Sequence, residues 1–308
     1  MRVKILGSAA GGGFPQWNCA CPNCSGFRDG TLRAQPRSQT QIAFSPSPGL
    51  WFLVAASPDL RTQLVSAPEL APSASRTPIA GVFLASADVD SAIGLLHLRE
   101  FQHFFVFSTA GVQKALLREN RLFRVLERSD PPVQWQTLSS KGRLGCHLSE
   151  SPGEAPDFVC STIPLGGAYP DYVSEELLRS LPADDASVAF TFEHLGKKLF
   201  VATGLSGRNP EWTKHAASAD VALLDGTFWT DDELMRTGRS KKSAREIGHL
   251  PLSGPDGLLA QCPSDAKARK ILIHINNTNP ILKEDSSEHR AVLDAGFEIA
   301  YDGMEFTL

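Results

Sequence analysis

The sequence predicts an α/β fold in which mixed sheets are layered with helices, and three observations carry that expectation. Short, continuous apolar runs recur at 79–84, 188–192, 199–202, 221–224 and 271–273, the pattern of strands covered on both faces. Segments with helix-start signals or helix-period apolar residues alternate with these runs. The 308 residues are 42% hydrophobic and 21% charged, an ordinary soluble-protein balance that suffices for one large domain or two small ones. A formal net charge of −4 gives no reason to expect nucleic acid or an anionic membrane as partner. Residues 1–6 read as a short strand ending at glycine and not as a signal peptide, and no apolar run approaches the roughly 18 residues of a membrane span. The expected compartment is the cytoplasm.

In chain order, residues 3–6 form a first strand that feeds the glycine run Gly7-Ser8-Ala9-Ala10-Gly11-Gly12-Gly13. This is not Gly-x-Gly-x-x-Gly, and Pro15 breaks the helix a dinucleotide site would need, so that reading is rejected. The glycines instead let backbone approach backbone or ligand closely. Cys19, Cys21 and Cys24 follow in a Cys-x-Cys-x-x-Cys pattern with Pro22 inside it. Thiolates at this spacing converge on one soft or borderline cation, zinc being the common outcome; a reduced loop or a redox pair is the alternative. Three ligands leave the tetrahedron open, so a fourth must come from elsewhere in the chain. Cys146, Cys160 and Cys262 are scattered and read as buried thiols.

Residues 41–44 and 51–55 are strands joined by the breaker-rich turn 45–49, and 57–64 starts a helix. Residues 67–77 read as a surface loop. The run 79–84 ends in Ser86-Ala87-Asp88-Val89-Asp90-Ser91, and helix-period residues continue over 92–100. Asp88 and Asp90 can point at one cation, or Asp90 or Ser91 can cap the helix; spacing alone favours the cap. A strand at 104–107 and a helix at 112–118 come next, then a polar stretch over 129–157 of variable strands and loops. Late in the chain, Asp225 closes an apolar strand, the usual address of sites in α/β folds. His249 follows a basic segment, 241–245, read as helical. His274 sits at a strand end beside Asn276, Asn277 and Asn279, a setting for a ligand or a proton carrier. The other histidines have no such surroundings.

The blocks 7–19, 56–61, 225–233, 247–250, 274–280 and 301–305 together resemble the coenzyme PQQ synthesis protein B family, in the same order along essentially the whole chain. Only the middle, about 67–185, is loose. The resemblance implies a metallo-β-lactamase-type αββα sandwich, two mixed sheets flanked by helices, as one domain over 1–308. It implies a role in making pyrroloquinoline quinone (PQQ) from a Glu–Tyr-bearing precursor, with other PQQ-pathway proteins and a second copy of the chain as further candidate partners. Two activities follow from it: iron-dependent hydroxylation of the tyrosine ring in the excised dipeptide, or non-catalytic carriage of PQQ or its precursor towards the periplasm. A phosphodiesterase-like hydrolase of the same fold is a third reading, but it needs two metals and the ligand count is too poor.

The resemblance also sorts the residues. Cys19, Cys21 and Cys24 match a structural zinc cluster, which in related phosphodiesterases is completed by a His at the position of Asn277; the fourth ligand therefore stays open. The turn 86–91 matches a loop that reads His-x-His-x-Asp-His in the wider superfamily, and here Ser86 and Ser91 replace two of its histidines. Asp88, Asp90 and His274 remain as ligands of an active-site iron or other divalent metal. His249 is then a proton carrier, with Asp225 beside it. One imidazole fewer tilts such a site towards harder cations or no metal at all.

Overall fold

The computed structural model describes residues 1–72, 79–100, 102–128, 130–147, 157–207, 209–238, 240–262 and 267–308. The apolar runs become the inner strands of two seven-stranded sheets. The first holds β1 (Arg2–Gly7), β2 (Gln41–Ser45), β3 (Trp51–Val54), β4 (Ile79–Phe83), β5 (Phe105–Thr109) and β6 (Gln134–Leu138). The second holds β7 (Gly142–Cys146), β8 (Phe158–Pro164), β9 (Val188–His194), β10 (Lys197–Ala202), β11 (Val221–Asp225), β12 (Arg269–Ile273) and β13 (Phe297–Ile299). The last strand, β14 (Glu305–Thr307), returns to the first sheet outside β1. Both sheets are mixed: β1–β3 are antiparallel and β3–β6 parallel, while β7–β10 are antiparallel and β10–β13 parallel.

Side-chain alternation explains the layering. Along β4, Phe83 points to the interior between the sheets while Val82 and Leu84 point outward; along β11, Leu223 points inward and Ala222 and Leu224 outward. The inner layer is aromatic. Phe83 stacks on Phe107 at 4.4 Å and meets Phe192 of the facing sheet edge-on at 4.9 Å, and Phe44 reaches Phe192 at 4.3 Å. Helices cover the two outer faces. Ala110–Glu119 buries Val112 and Leu116 against the first sheet, with Thr109 capping it by accepting the Val112 N–H. Glu211–Ser218 and Ser287–Asp294 bury Trp212 and Val292 against the second. This is the αββα arrangement that the resemblance implies.

Local structure departs from expectation in two places. The segment 92–100 is not an α-helix: one α-turn, Val89–Ala92, gives way to the 3₁₀ stretch Ile93–Leu98. Gly94 is pressed against the 56–57 backbone, and a Cβ there would lie 2.1 Å from the Ser57 carbonyl oxygen. That close approach fixes the path and needs glycine. The basic segment 241–245 is not helical either; only Arg245–Ile247 makes a 3₁₀ turn. Side chains compete for its backbone: Ser240 accepts the Lys242 N–H at 2.9 Å, Glu246 the Ser243 N–H at 2.7 Å, and Asp231 the Arg245 N–H at 2.9 Å. The expected loop over 67–77 contains the 3₁₀ turn Pro68–Leu70, and residues 73–77 lie outside the described residues. The polar stretch over 129–157 contributes β6 and β7, with 129 and 148–156 outside the described residues. Among the described residues no helix is long and apolar enough to cross a membrane.

The parallel strands β4, β11 and β12 end at the same rim of the sandwich. An antiparallel bridge between Ser86 and Ser187 links the two sheets there, and a parallel bridge from Ala9 to Ile275 brings the glycine-rich segment over the same rim. Phe83→Ala should remove the residue on which both inner faces close. The expected loss is about 3–5 kcal/mol of unfolding free energy, read as a lower urea midpoint at an unchanged slope.

Candidate functional site

The rim opens into a cavity of about 770 Å³ lined by Ser86, Asp88, Asp90 and Ser91 from the first sheet and by His249 and His274 from the second. Residues 166–172, including Tyr169 and Tyr172, and the basic stretch at Lys242 form its walls.

Asp225 anchors the second-sheet side. It is fully buried at the end of β11, paired in register with Ile273 of β12. Its Oδ2 accepts the Leu205 N–H at 2.8 Å and the His249 Nδ1–H at 2.7 Å. Its Oδ1 accepts the Thr227 N–H at 3.0 Å and the Thr227 hydroxyl. Four donors fill the four lone-pair sites of a carboxylate. Burial alone would push Asp225 up, but the charge and hydrogen bond of His249, with help from His274 and Thr227, hold it below the usual carboxylate range.

Thr227 Oγ1 is the hub of the cluster. It lies 2.9 Å from His274 Nδ1, 3.0 Å from His249 Nδ1 and 2.9 Å from the His274 carbonyl oxygen. A hydroxyl has one hydrogen; spent on Asp225, it leaves Oγ1 as an acceptor for His274 Nδ1–H. The partners therefore place a proton on Nδ1 of both imidazoles and turn their Nε2 atoms away from the buried cage. The rings stack at 5.4 Å and 19°. His274 itself stands at φ 61°, a left-handed conformation that is unusual for a non-glycine residue and breaks β12 at its end.

His274 Nε2 faces Asp90 Oδ2 at 3.4 Å. Burial would lower the His274 pKa, yet Asp90 first, then Asp225 and Asp88, raise it above the ordinary histidine value. Burial would raise Asp90, and His274 and His249 instead draw it down. Asp88 is pushed up, by the surrounding protein and then by the charge of Asp90, against the opposing hydrogen bond from the Ser86 hydroxyl at 2.6 Å. The capping role that spacing favoured for Asp90 or Ser91 is not what forms. The helical turn begins at Val89, Asp88 stands at the cap position without a capping side-chain bond, and Asp90 turns to His274. Gly11 makes room for it: a Cβ there would lie 3.1 Å from Asp90 Oδ2.

Two groups of side chains could hold a cation among the described residues: Asp225 with His249 and His274, and the three cysteines. Since Asp225 is saturated by hydrogen bonds, the donors left facing the cavity are His274 Nε2, Asp90, Asp88 and His249 Nε2. The cysteines are buried at and just before the start of the helix Pro22–Arg28, with Cys21 at its N-cap. Each sulfur accepts one backbone N–H: Cys19 from Cys21 at 3.4 Å, Cys21 from Cys24 at 3.5 Å, and Cys24 from Gln16 at 3.4 Å. Burial pushes the Cys21 thiol up to about 11, so a cation bound there displaces protons. Asn277 Nδ2 lies 3.1, 3.5 and 3.4 Å from Cys19, Cys21 and Cys24 Sγ.

Sequence reasoning brought Asp88, Asp90, Asp225, His249 and His274 to attention, and all five line or underlie this one rim. It missed Thr227, whose only signal is its place in the Asp225-Gly226-Thr227 turn, and it missed the tyrosines of 166–172, which fall in the loosely patterned middle.

Residues 50–275 match the family model for a beta-lactamase superfamily domain. The chain is 42% identical over 318 residues to coenzyme PQQ synthesis protein B of Azoarcus sp. strain BH72, and 41% identical over 310 residues to that of Pseudomonas protegens, with 100% of both chains covered in each case. A solved structure of Zn(2+)-bound PqqB from Methylobacterium extorquens superposes with a TM-score of 0.87 at 35% identity, covering 100% of each chain. A diphosphatase of the PhnP family shares the fold alone, with a TM-score of 0.64 at 15% identity over 100% of this chain and 97% of its own.

Thr227→Val keeps the shape and deletes the hydroxyl, leaving Asp225 and His274 Nδ1–H short of a partner. The expected cost is about 1–3 kcal/mol in chemical denaturation, largely recovered in Thr227→Ser. The His274–Asp90 pairing also has a pH signature. Because His274 is raised, its contribution is complete below the ordinary histidine value and drains as pH rises through the higher folded midpoint; at the acid end it is lost as Asp90 protonates below its usual range. In metal-free protein, the His274 midpoint followed by NMR should lie above that of a free histidine and fall in Asp90→Asn.

Proposed function

The chain belongs to the coenzyme PQQ synthesis protein B family, and on that premise we propose that it acts in PQQ biosynthesis as a metal-dependent oxygenase of a tyrosine-derived precursor. The observation that carries the reading is His274 Nε2 facing Asp90 in a cavity large enough for a dipeptide, with a carboxylate-oriented imidazole, His249, beside it. Imidazole with hard oxygen donors suits a first-row divalent ion, and Asp90, Asp88 and His274 are the residues that would hold it. Iron bound there would supply dioxygen activation, with the second electron pair coming from an added reductant. His249, its Nδ1 clamped by Asp225, presents Nε2 to take the phenol proton. Cys19, Cys21 and Cys24 would hold zinc, since three convergent sulfurs that each accept a backbone N–H form a thiolate-type site.

Ser91 favours a second reading. It lines the cavity where the superfamily loop carries an imidazole, and a site short of that ligand suits a carrier of PQQ or its precursor. One experiment separates the two. Purified protein is loaded anaerobically with Fe(II), then given Glu–Tyr dipeptide, ascorbate and oxygen, and the products are weighed. A peptide heavier by one oxygen, absent with His249→Gln although iron is retained, supports the oxygenase. Peptide bound and recovered unchanged overturns it and leaves the carrier. Ser91→His should tighten iron binding in either case.

A further inference from the structure

We propose that Lys242 recognises the α-carboxylate of the substrate's tyrosine residue and so selects a precursor whose carboxyl end is free. The proposal rests on the reading of the cavity as the site of a tyrosine-derived dipeptide, and goes beyond it by assigning the residue that anchors the ligand's charge. Among the described residues that line the cavity, Lys242 is the only lysine or arginine. It shares the walls with the carboxylates of Asp88, Asp90, Asp171 and Glu246. A Glu–Tyr dipeptide has more carboxylates than ammonium groups and is itself an anion. Such walls repel it unless a cation meets one of its carboxylates.

Several other side-chain donors of the walls are spent on the protein itself. The Tyr172 hydroxyl donates to Ala87 O at 2.5 Å, the Tyr169 hydroxyl to Pro182 O at 2.8 Å, and the Ser86 hydroxyl to Asp88 at 2.6 Å. Arg245, on the same segment as Lys242, does not line the cavity and donates to Asp256 O at 3.1 Å. The Lys242 side chain is exposed, and among the described residues no carboxylate pairs with it. Its backbone is fixed: the Ser240 hydroxyl accepts the Lys242 N–H at 2.9 Å and donates to Lys242 O at 3.1 Å. Further along, Ala244 N–H donates to Asp231 O at 2.8 Å and His249 N–H to Ala244 O at 2.9 Å. Lys242 and His249 thus stand on one tied segment, the ammonium in solvent and the imidazole clamped to buried Asp225. A tyrosine residue carries its phenol and its α-carboxylate at opposite ends. With the phenol at His249 Nε2, the carboxylate points back towards solvent, where the flexible stem of Lys242 lets its ammonium close a charge-assisted hydrogen bond.

The test follows binding by calorimetry in the full-length chain with added Zn(II), so that no oxidation intervenes. The probes are Glu–Tyr with a free carboxyl end and Glu–Tyr amide. Wild type should bind the free form about tenfold tighter, the scale of one charge-assisted hydrogen bond. Lys242→Met should bind both forms as weakly as wild type binds the amide, and Lys242→Arg should keep the preference. Added salt should shrink the wild-type preference, because the charge is exposed. Equal affinity of wild type for the two forms would overturn the assignment. Equal weakening of both peptides in Lys242→Met would do the same, since it would mark a structural role. A preference for the free form that survives in Lys242→Met would also overturn it, by placing the carboxylate on another residue. All three results leave the cavity as a dipeptide site. Wild type that binds neither peptide would sink that reading, and the proposal with it.

Discussion

The fully buried carboxylate of Asp225 is the constraint on which the rest of the rim depends. An anion at the end of a central strand is tolerable only when its oxygens are satisfied. Here they take donors from three places: the 205 backbone after β10, the 227 turn after β11, and His249 from the loop beyond the 3₁₀ turn at 245–247. Satisfying one carboxylate therefore fixes the relative position of three connections. Thr227 extends the cage to His274 on β12, which makes the two imidazoles parts of one hydrogen-bonded unit.

The opposite wall is set by close approach of backbone. Ile275 N–H donates to Ser8 O and Ala10 N–H to Ile275 O, both at about 3 Å, so the glycine-rich segment runs alongside the strand end that carries His274. Gly11 then lies against Asp90. The same segment is secured from below, where Asp302 accepts from the Ser8 and Ser38 hydroxyls and the Ser38 N–H. The block 301–305 stands out in sequence beside the first glycine block, and here the two meet.

How much of this the sequence discloses depends on whether a feature is local. The inner strands are legible because burial on both faces leaves an uninterrupted apolar run, and the cysteines because their spacing alone brings the sulfurs together. Features decided by tertiary contact are not legible. Spacing made Asp90 a helix cap, but the turn starts at Val89 and the charge of His274, 184 positions away, claims the carboxylate. Helix periodicity over 92–100 is overruled by one glycine jammed against another backbone. Thr227 looks like any residue after a strand, because its role comes from Asp225 in its own turn and from two histidines on two other connections. Asn277 is visible as one of several amides, and only the fold puts it over the sulfurs.

The pairing of β1 with β14 has a consequence for how the chain is made. Arg2 and Glu305 are partners 303 positions apart, and β1 lies between β14 and β2 in the first sheet. During synthesis the amino-terminal strand emerges early and waits with one edge open until nearly three hundred further residues have left the ribosome. Contacts of such long sequence separation slow folding, and an open strand edge invites mispairing in the meantime. Arg2 and Lys4 alternate along that strand and end paired with Glu305 and Glu69, and charge so close to an open edge disfavours pairing with a stray strand.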